Sequence, residues 1–359
     1  MKKHVLFALL SVLAFGCGTP RDKSNDKMKQ SALMYAEAVA TLEKAMKAPE
    51  KGRAALEAEA EKYKEQAIKL GKEAIAIDST NVNAYYNTAI MMQAIARPSK
   101  KEVDLELLEE AIQLYEKGLA AMPPPPYSSD SLKNLYINFN NSLSICYRDM
   151  SDIYQKEPDK SIAYAKKSAE LAEKAKEYVM VTAANASFKY AGLLYKHQRW
   201  NEAVPAFEKA LELHKFAYER SSSDEVVANL RDLALFYAEC VQRQAEANGA
   251  KMKLLGKDKE GKEIRVPELD EATINKVIEF YKESLKIAPD NWDMYAAMFQ
   301  FCSDYGQEKI ALDMLKAAVE QKKDDARGNE VLGTLLQSIG RNAEAAPYIK
   351  RFRELSGRK

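Results

Sequence analysis

Gly256, Gly261 and Lys262 stand in the order of a phosphate-binding loop, a spacing that would serve nucleotide chemistry. Such a loop also needs a hydroxyl after the lysine to hold magnesium, a buried strand before it, and a helix N-terminus to present amides to the phosphates. Here Glu263 follows the lysine and no buried parallel strand precedes the loop, so nucleotide binding is not expected. Three histidines occur, at 4, 197 and 214, and the last two are seventeen residues apart with no neighbouring cysteine. Neither spacing is that of a zinc site. No serine sits in a glycine-flanked nucleophile turn, and no cysteine has a recognisable histidine partner. Glu57, Glu59 and Glu61 alternate with alanines and read as an exposed helical face. The chain is therefore expected to be neither an enzyme nor a holder of metal or cofactor.

Of the four cysteines, Cys146, Cys240 and Cys302 lie inside apolar helical stretches, widely spaced and odd in number. That is no disulfide framework, and the three read as small buried thiols, with one disulfide of unspecified pairing left open. Lysine plus arginine number 54 against 53 aspartates plus glutamates. Removing Lys2 and Lys3 with a leader leaves a net charge near zero, so no polyanion-binding surplus exists and no nucleic-acid partner is expected.

Lys2, Lys3 and His4 precede an apolar run from Val5 to Phe15, followed by Gly16 and Cys17. A run of eleven residues, apolar but for Ser11, falls short of the roughly twenty that a membrane-crossing helix needs, and the pattern is that of a signal peptide over residues 1–16. Leu13-Ala14-Phe15-Gly16-Cys17 resembles the lipobox of bacterial lipoproteins, with Ala14 and Phe15 standing where leucine and a small residue are usual. The resemblance implies that Cys17 becomes the N-terminus and carries the lipid, palmitate among its acyl chains. Gly18 to Asp26 is polar, and residues 17–27 are expected to form a flexible tether.

Near the other end Gly306 and Gly340, Ala311 and Ala345, and Leu315 and Ile349 each recur after 34 residues. Within residues 326–359, Leu332-Gly333 and Leu336 precede Gly340, and Ala345, Ile349 and Phe352 follow it. Small Gly333 and Ala345 would let two helices cross closely, while the larger residues form one buried stripe. This spacing resembles the tetratricopeptide repeat, strongly over about 184–219 and 271–359. The family implies an all-α, right-handed solenoid, here of about seven helix hairpins, which holds a peptide or protein. The expected layout is divergent hairpins over 28–176, then a repeat solenoid over 177–359.

Two interruptions stand out. Pro123 to Pro126 are expected to form a stiff extended connector. Residues 249–270 split a helix pair and carry two apolar-bearing arms around a charged, glycine-containing turn, the signature of a projecting β-hairpin.

In the tetratricopeptide family the groove is lined by set positions of each first helix. Carried onto this chain, they are Asn83, Tyr86 and Gln93, then Asn185, Phe188, Tyr195 and Lys196, then Gln300 and Asp304, and finally Arg327, Glu330 and Gln337. The expectation is a membrane-anchored adaptor that binds a peptide or subunit of an envelope assembly, lipid-linked through Cys17 and placed at the outer membrane facing the periplasm. The alternative is a nutrient- or glycan-capture lipoprotein of the starch-utilisation type, whose binding loops are usually larger than residues 249–270.

Overall fold

The computed structural model describes residues 18–97, 102–257 and 260–357, among which it contains fourteen α-helices and one two-stranded antiparallel ribbon. Cys17 and the leader before it lie outside the described residues. The helices are α1 (Pro20–Lys47), α2 (Glu50–Ile77), α3 (Val82–Ala96), α4 (Leu105–Ala120), α5 (Asp130–Ile153), α6 (Pro158–Lys174) and α7 (Met180–Lys196). They continue with α8 (Trp200–Ser221), α9 (Asp224–Ala247), α10 (Glu271–Ile287), α11 (Trp292–Asp304), α12 (Glu308–Gln321), α13 (Ala326–Ser338) and α14 (Asn342–Ser356). They follow one another as antiparallel pairs, the arrangement of a tetratricopeptide-like α-solenoid. By internal contact the chain divides into two compact units, Met1–Met150 and Ser151–Lys359. The division falls inside α5.

In the first unit α1 and α2 form a long antiparallel pair whose seam repeats every seventh residue. Ser24, Ser31, Ala38 and Ala45 on α1 and Ala60, Ala67 and Ala74 on α2 are all buried. Small side chains at a heptad period let the backbones approach, and the two serines turn that approach into hydrogen bonds. Ser24 Oγ donates to the Ala74 carbonyl at 2.8 Å and Ser31 Oγ to that of Ala67 at 2.7 Å. The expected tether over 17–27 is thereby corrected, because α1 starts at Pro20 and Thr19 caps it in a reciprocal box with Asp22. Polarity misled there: the first seam residue, Ser24, is hydrophilic in sequence yet fully buried by its bond to α2.

The connector Pro123–Pro126 is exposed, and its Pro125–Pro126 bond is cis.

In the second unit the expected crossings are present. A Cβ added to Gly333 would lie 2.6 Å from Ile349 Cδ1, and Ala345, Ala311, Ala203, Ala191 and Ala210 are buried in the core of this unit. Gly306 and Gly340 take φ of +72° and +77° just past the ends of α11 and α13, the left-handed geometry that stops a helix and that glycine adopts without cost. Helix starts are set by side-chain caps: Asp270, Asn291 and Asp325 accept from the amides of Thr273, Met294 and Gly328 at 2.7, 3.1 and 2.8 Å. The first helices α7, α9, α11 and α13 also touch one another in sequence, forming one layer, with their partners α8, α10, α12 and α14 behind.

Between α9 and α10, β1 (Met252–Lys257) pairs with β2 (Glu263–Pro267), the expected hairpin, with a bulge between Leu254 and Gly256. Its base is fixed: Val266 is buried, Tyr305 OH donates to the Pro267 carbonyl at 3.0 Å, and Lys253 Nζ reaches the Asp304 carbonyl at 3.4 Å.

Cys146, Cys240 and Cys302 are free and buried, and burial pushes each thiol up to about 12. A water-soluble thiol reagent is thus expected to modify none of the three in the folded protein at neutral pH and all three in denaturant. Rapid modification of any one under native conditions, read by intact mass, would contradict its placement.

Candidate functional site

The second unit presents the exposed side of its first-helix layer as the candidate site. Each first helix turns one stripe toward its hairpin partner and a second toward the next first helix, which leaves a third, polar stripe facing outward.

That third stripe is built of rungs. Asn185 of α7 donates through Nδ2 to Glu225 Oε1 of α9 at 2.5 Å and accepts from Asn229 Nδ2 at 2.8 Å. About 15 Å along the same helix, Tyr195 OH donates to Glu239 Oε2 at 2.6 Å while its ring stacks on Phe236 at 4.6 Å. Burial and the adjacent Glu239 carboxylate push the Tyr195 phenol up to about 12. Gln242 of α9 donates to Tyr305 OH just beyond α11, at 3.3 Å. Arg327 of α13 bonds Asp293 of α11 at 2.7 Å and Glu330 at 2.6 Å. Gln300 donates to Asp304 at 2.7 Å, and burial raises the Asp304 carboxyl above the usual range.

Lys196, Gln300, Arg327 and Gln337 are exposed on this face, and Asn185, Tyr195, Asp304 and Glu330 are half-buried within the rungs. Gln337 lies at the end of the layer, beside an open recess of about 650 Å³ lined also by Ile349, Lys350 and Arg353. Such a surface offers amide, carboxylate and guanidinium groups at helical intervals, a pattern suited to a polypeptide.

Three expected groove residues are placed elsewhere. Tyr86 and Gln93 of α3 are 9% exposed, because α5 lies against the stripe that would have opened to solvent. The Tyr86 ring sits 5.2 Å from Phe139, and Gln93 Oε1 accepts from Tyr115 OH at 2.7 Å. Phe188 turns toward the core beside Phe207 and His214, with ring centres 6.3 and 6.2 Å away. Asn83 remains exposed on the first unit.

The α9 side chains Glu225, Asn229, Phe236 and Glu239 were not singled out from sequence. Their helix is 24 residues long and is followed by the hairpin, so counting from a repeat start finds no anchor there. The available signal was Asn229 and Glu239, each 44 residues after its partner, Asn185 or Tyr195.

The sequence's two chemistry-like features are structural. Gly261 sits in the turn of the hairpin with φ +81°, and Lys262 leads into strand β2, so no helix follows to receive a phosphate. His214 is fully buried; its Nδ1 bonds the Ala210 carbonyl at 2.8 Å and its Nε2 has no hydrogen-bond partner. Burial holds its pKa below the ordinary histidine value. With the folded value lowered, the unfolded chain binds more protons between the two pKa values, so this stabilisation is complete above the ordinary value and falls away as pH drops toward the folded one. The melting temperature of the second unit is expected to fall between pH 7.5 and 5.5, and His214→Leu to flatten that part of the profile. An unchanged slope in the variant would contradict this origin. Among the described residues no group of three or more histidine, cysteine, aspartate or glutamate side chains converges as metal ligands would.

No family model matches this chain, and no curated protein matches it. Among solved structures it is similar to a MamA fragment from Desulfovibrio magneticus RS-1, at 13% identity and TM-score 0.32, over 60% of this chain and 95% of that one. It is similar to YrrB, described as a TPR protein with an unusual peptide-binding site, at 13% identity and TM-score 0.31, over 72% of this chain and 95% of that one. A tetratricopeptide repeat protein from Parabacteroides merdae shares 13% identity at TM-score 0.28, over 90% and 93% of the two chains. Scores this low fix neither a family nor a partner, and the all-α hairpin architecture rests on the helices themselves.

Proposed function

We propose that this chain is a lipid-anchored, non-catalytic adaptor of the bacterial envelope whose second unit holds a peptide segment or protein subunit across α7, α9, α11 and α13. The supporting observation is the polar-runged layer of first helices, whose outward groups are not consumed in hairpin packing. Anchoring through the lipid on Cys17, at the outer membrane and facing the periplasm, completes the reading. Among the described residues no helix is long and apolar enough to cross a membrane. A glycan-capturing role is less well supported, because residues 248–270 contain no aromatic side chain on which a sugar ring could stack.

The test is photo-crosslinking in cells from Lys196, Gln300 and Gln337, with Glu212 on α8 as the outward control. One common protein attached from the three groove positions and absent from Glu212 is the expected result. Equal labelling from Glu212 would overturn the proposal.

A further inference from the structure

We infer that one rim of the first unit, made by the start of α1, the α2–α3 turn and the α4–α5 connector, rests against the phospholipid headgroups. This deepens the anchor reading above and depends on it. Helix α1 begins at Pro20 and is locked there by the Thr19–Asp22 box, so only Gly18 and Thr19 separate Cys17 from rigid structure. At no more than about 3.5 Å per residue, the anchor can stand only about 10 Å from the helix end.

That end is tied down by side-chain contacts to the next turn. Arg21 pairs with Asp78 and bonds Thr80 Oγ1 at 2.9 Å, and Asn81 Nδ2 bonds Ser24 Oγ at 2.9 Å and Asn25 Oδ1 at 3.0 Å. The start of α1 is thus joined to the α2–α3 turn.

A second observation falls on the same rim. Helix α4 returns antiparallel to α3, with Gly118 against Tyr85, so its end at Ala120 lies beside the start of α3. Helix α5 has Phe139 beside Tyr86, which places its first residue, Asp130, about 13 Å farther out along its axis. The connector between them carries four exposed prolines, Pro123 to Pro126, and Tyr127 packed on Tyr136 with ring centres 5.2 Å apart. Proline rings without N–H donors and tyrosines with one apolar body and one polar tip are the side chains that a headgroup layer accommodates. Acidic and basic residues are mixed along the rim, so the contact does not call for anionic lipid.

The opposite end of the unit, the α1–α2 turn, stands away from this rim by the length of a 28-residue helix, about 42 Å. A lipid surface therefore covers the proline connector and leaves the α1–α2 turn free.

The test uses the full lipidated protein in nanodiscs of phosphatidylethanolamine and phosphatidylglycerol that contain a headgroup nitroxide lipid. A fluorophore is placed in turn by Ser79→Cys, Pro124→Cys and Lys51→Cys, all at exposed positions. Quenching at 79 and 124 is expected to be at least about threefold stronger than at 51, which lies about 40 Å further along α2. Equal quenching at the three positions, or the strongest at 51, would overturn the contact while leaving the anchor intact. Intact mass separates the other failure: a mature chain without a diacylglyceryl group on Cys17 removes the anchor and the inference with it.

Discussion

Replacing Gly118 by alanine is expected to lower the stability of the first unit by about 1–3 kcal/mol, against the gain of about 1 kcal/mol that alanine gives in an ordinary helix interior. A Cβ at this position of α4 would lie 2.6 Å from Phe139 Cζ and 2.7 Å from Tyr85 Cβ. Neither neighbour is a free end: Phe139 is fully buried and packed edge-on against Tyr86 and Tyr115. The control is Gly192 of α7, which has nothing within 4 Å of an added Cβ. There alanine is expected to stabilise by about 0.5–1 kcal/mol. Urea unfolding midpoints should therefore move in opposite directions for the two variants. A rise for both would mean that the helices of the first unit do not meet closely at Gly118.

Phe207→Ala should cost the second unit more, about 3–5 kcal/mol, the usual range for emptying a buried phenylalanine site. Phe207 is fully buried on α8, and both Phe188 of α7 and Phe236 of α9 lean on it, with ring centres 6.3 and 6.4 Å away. The loss reaches the candidate site through Phe236, which carries the Tyr195 ring. The phenol of Tyr195 is expected to titrate closer to its ordinary value in the variant as its surroundings loosen. A cost below about 1 kcal/mol, the scale of a surface substitution, would contradict the packing.

The parts of the fold that were legible in sequence are those where one residue type has one physical reason. Gly306 and Gly340 end helices, Ala311 and Ala345 are buried in the core, and the arms of 249–270 pair as strands. The start of α1 was not legible because its seam is written in serine and alanine, with burial achieved by Ser24 and Ser31 bonding to opposing carbonyls. Hydropathy cannot see such a seam, although the spacing 24, 31, 38, 45 is in plain view once a heptad is sought. The site was legible only in part. Family positions located Asn185, Tyr195 and Arg327 on rungs, but not the closure of α5 over Tyr86 and Gln93. Whether an outward stripe stays open depends on how the next hairpin lies, and no local pattern encodes that.

The layer α7, α9, α11 and α13 is the proposed holding face. Amide hydrogen exchange of the full chain, alone and bound to the protein captured from Gln300, tests it most directly. New protection is expected along those four helices, with α8, α10, α12 and α14 unchanged. Protection confined to the second helices, or to the first unit, would contradict it.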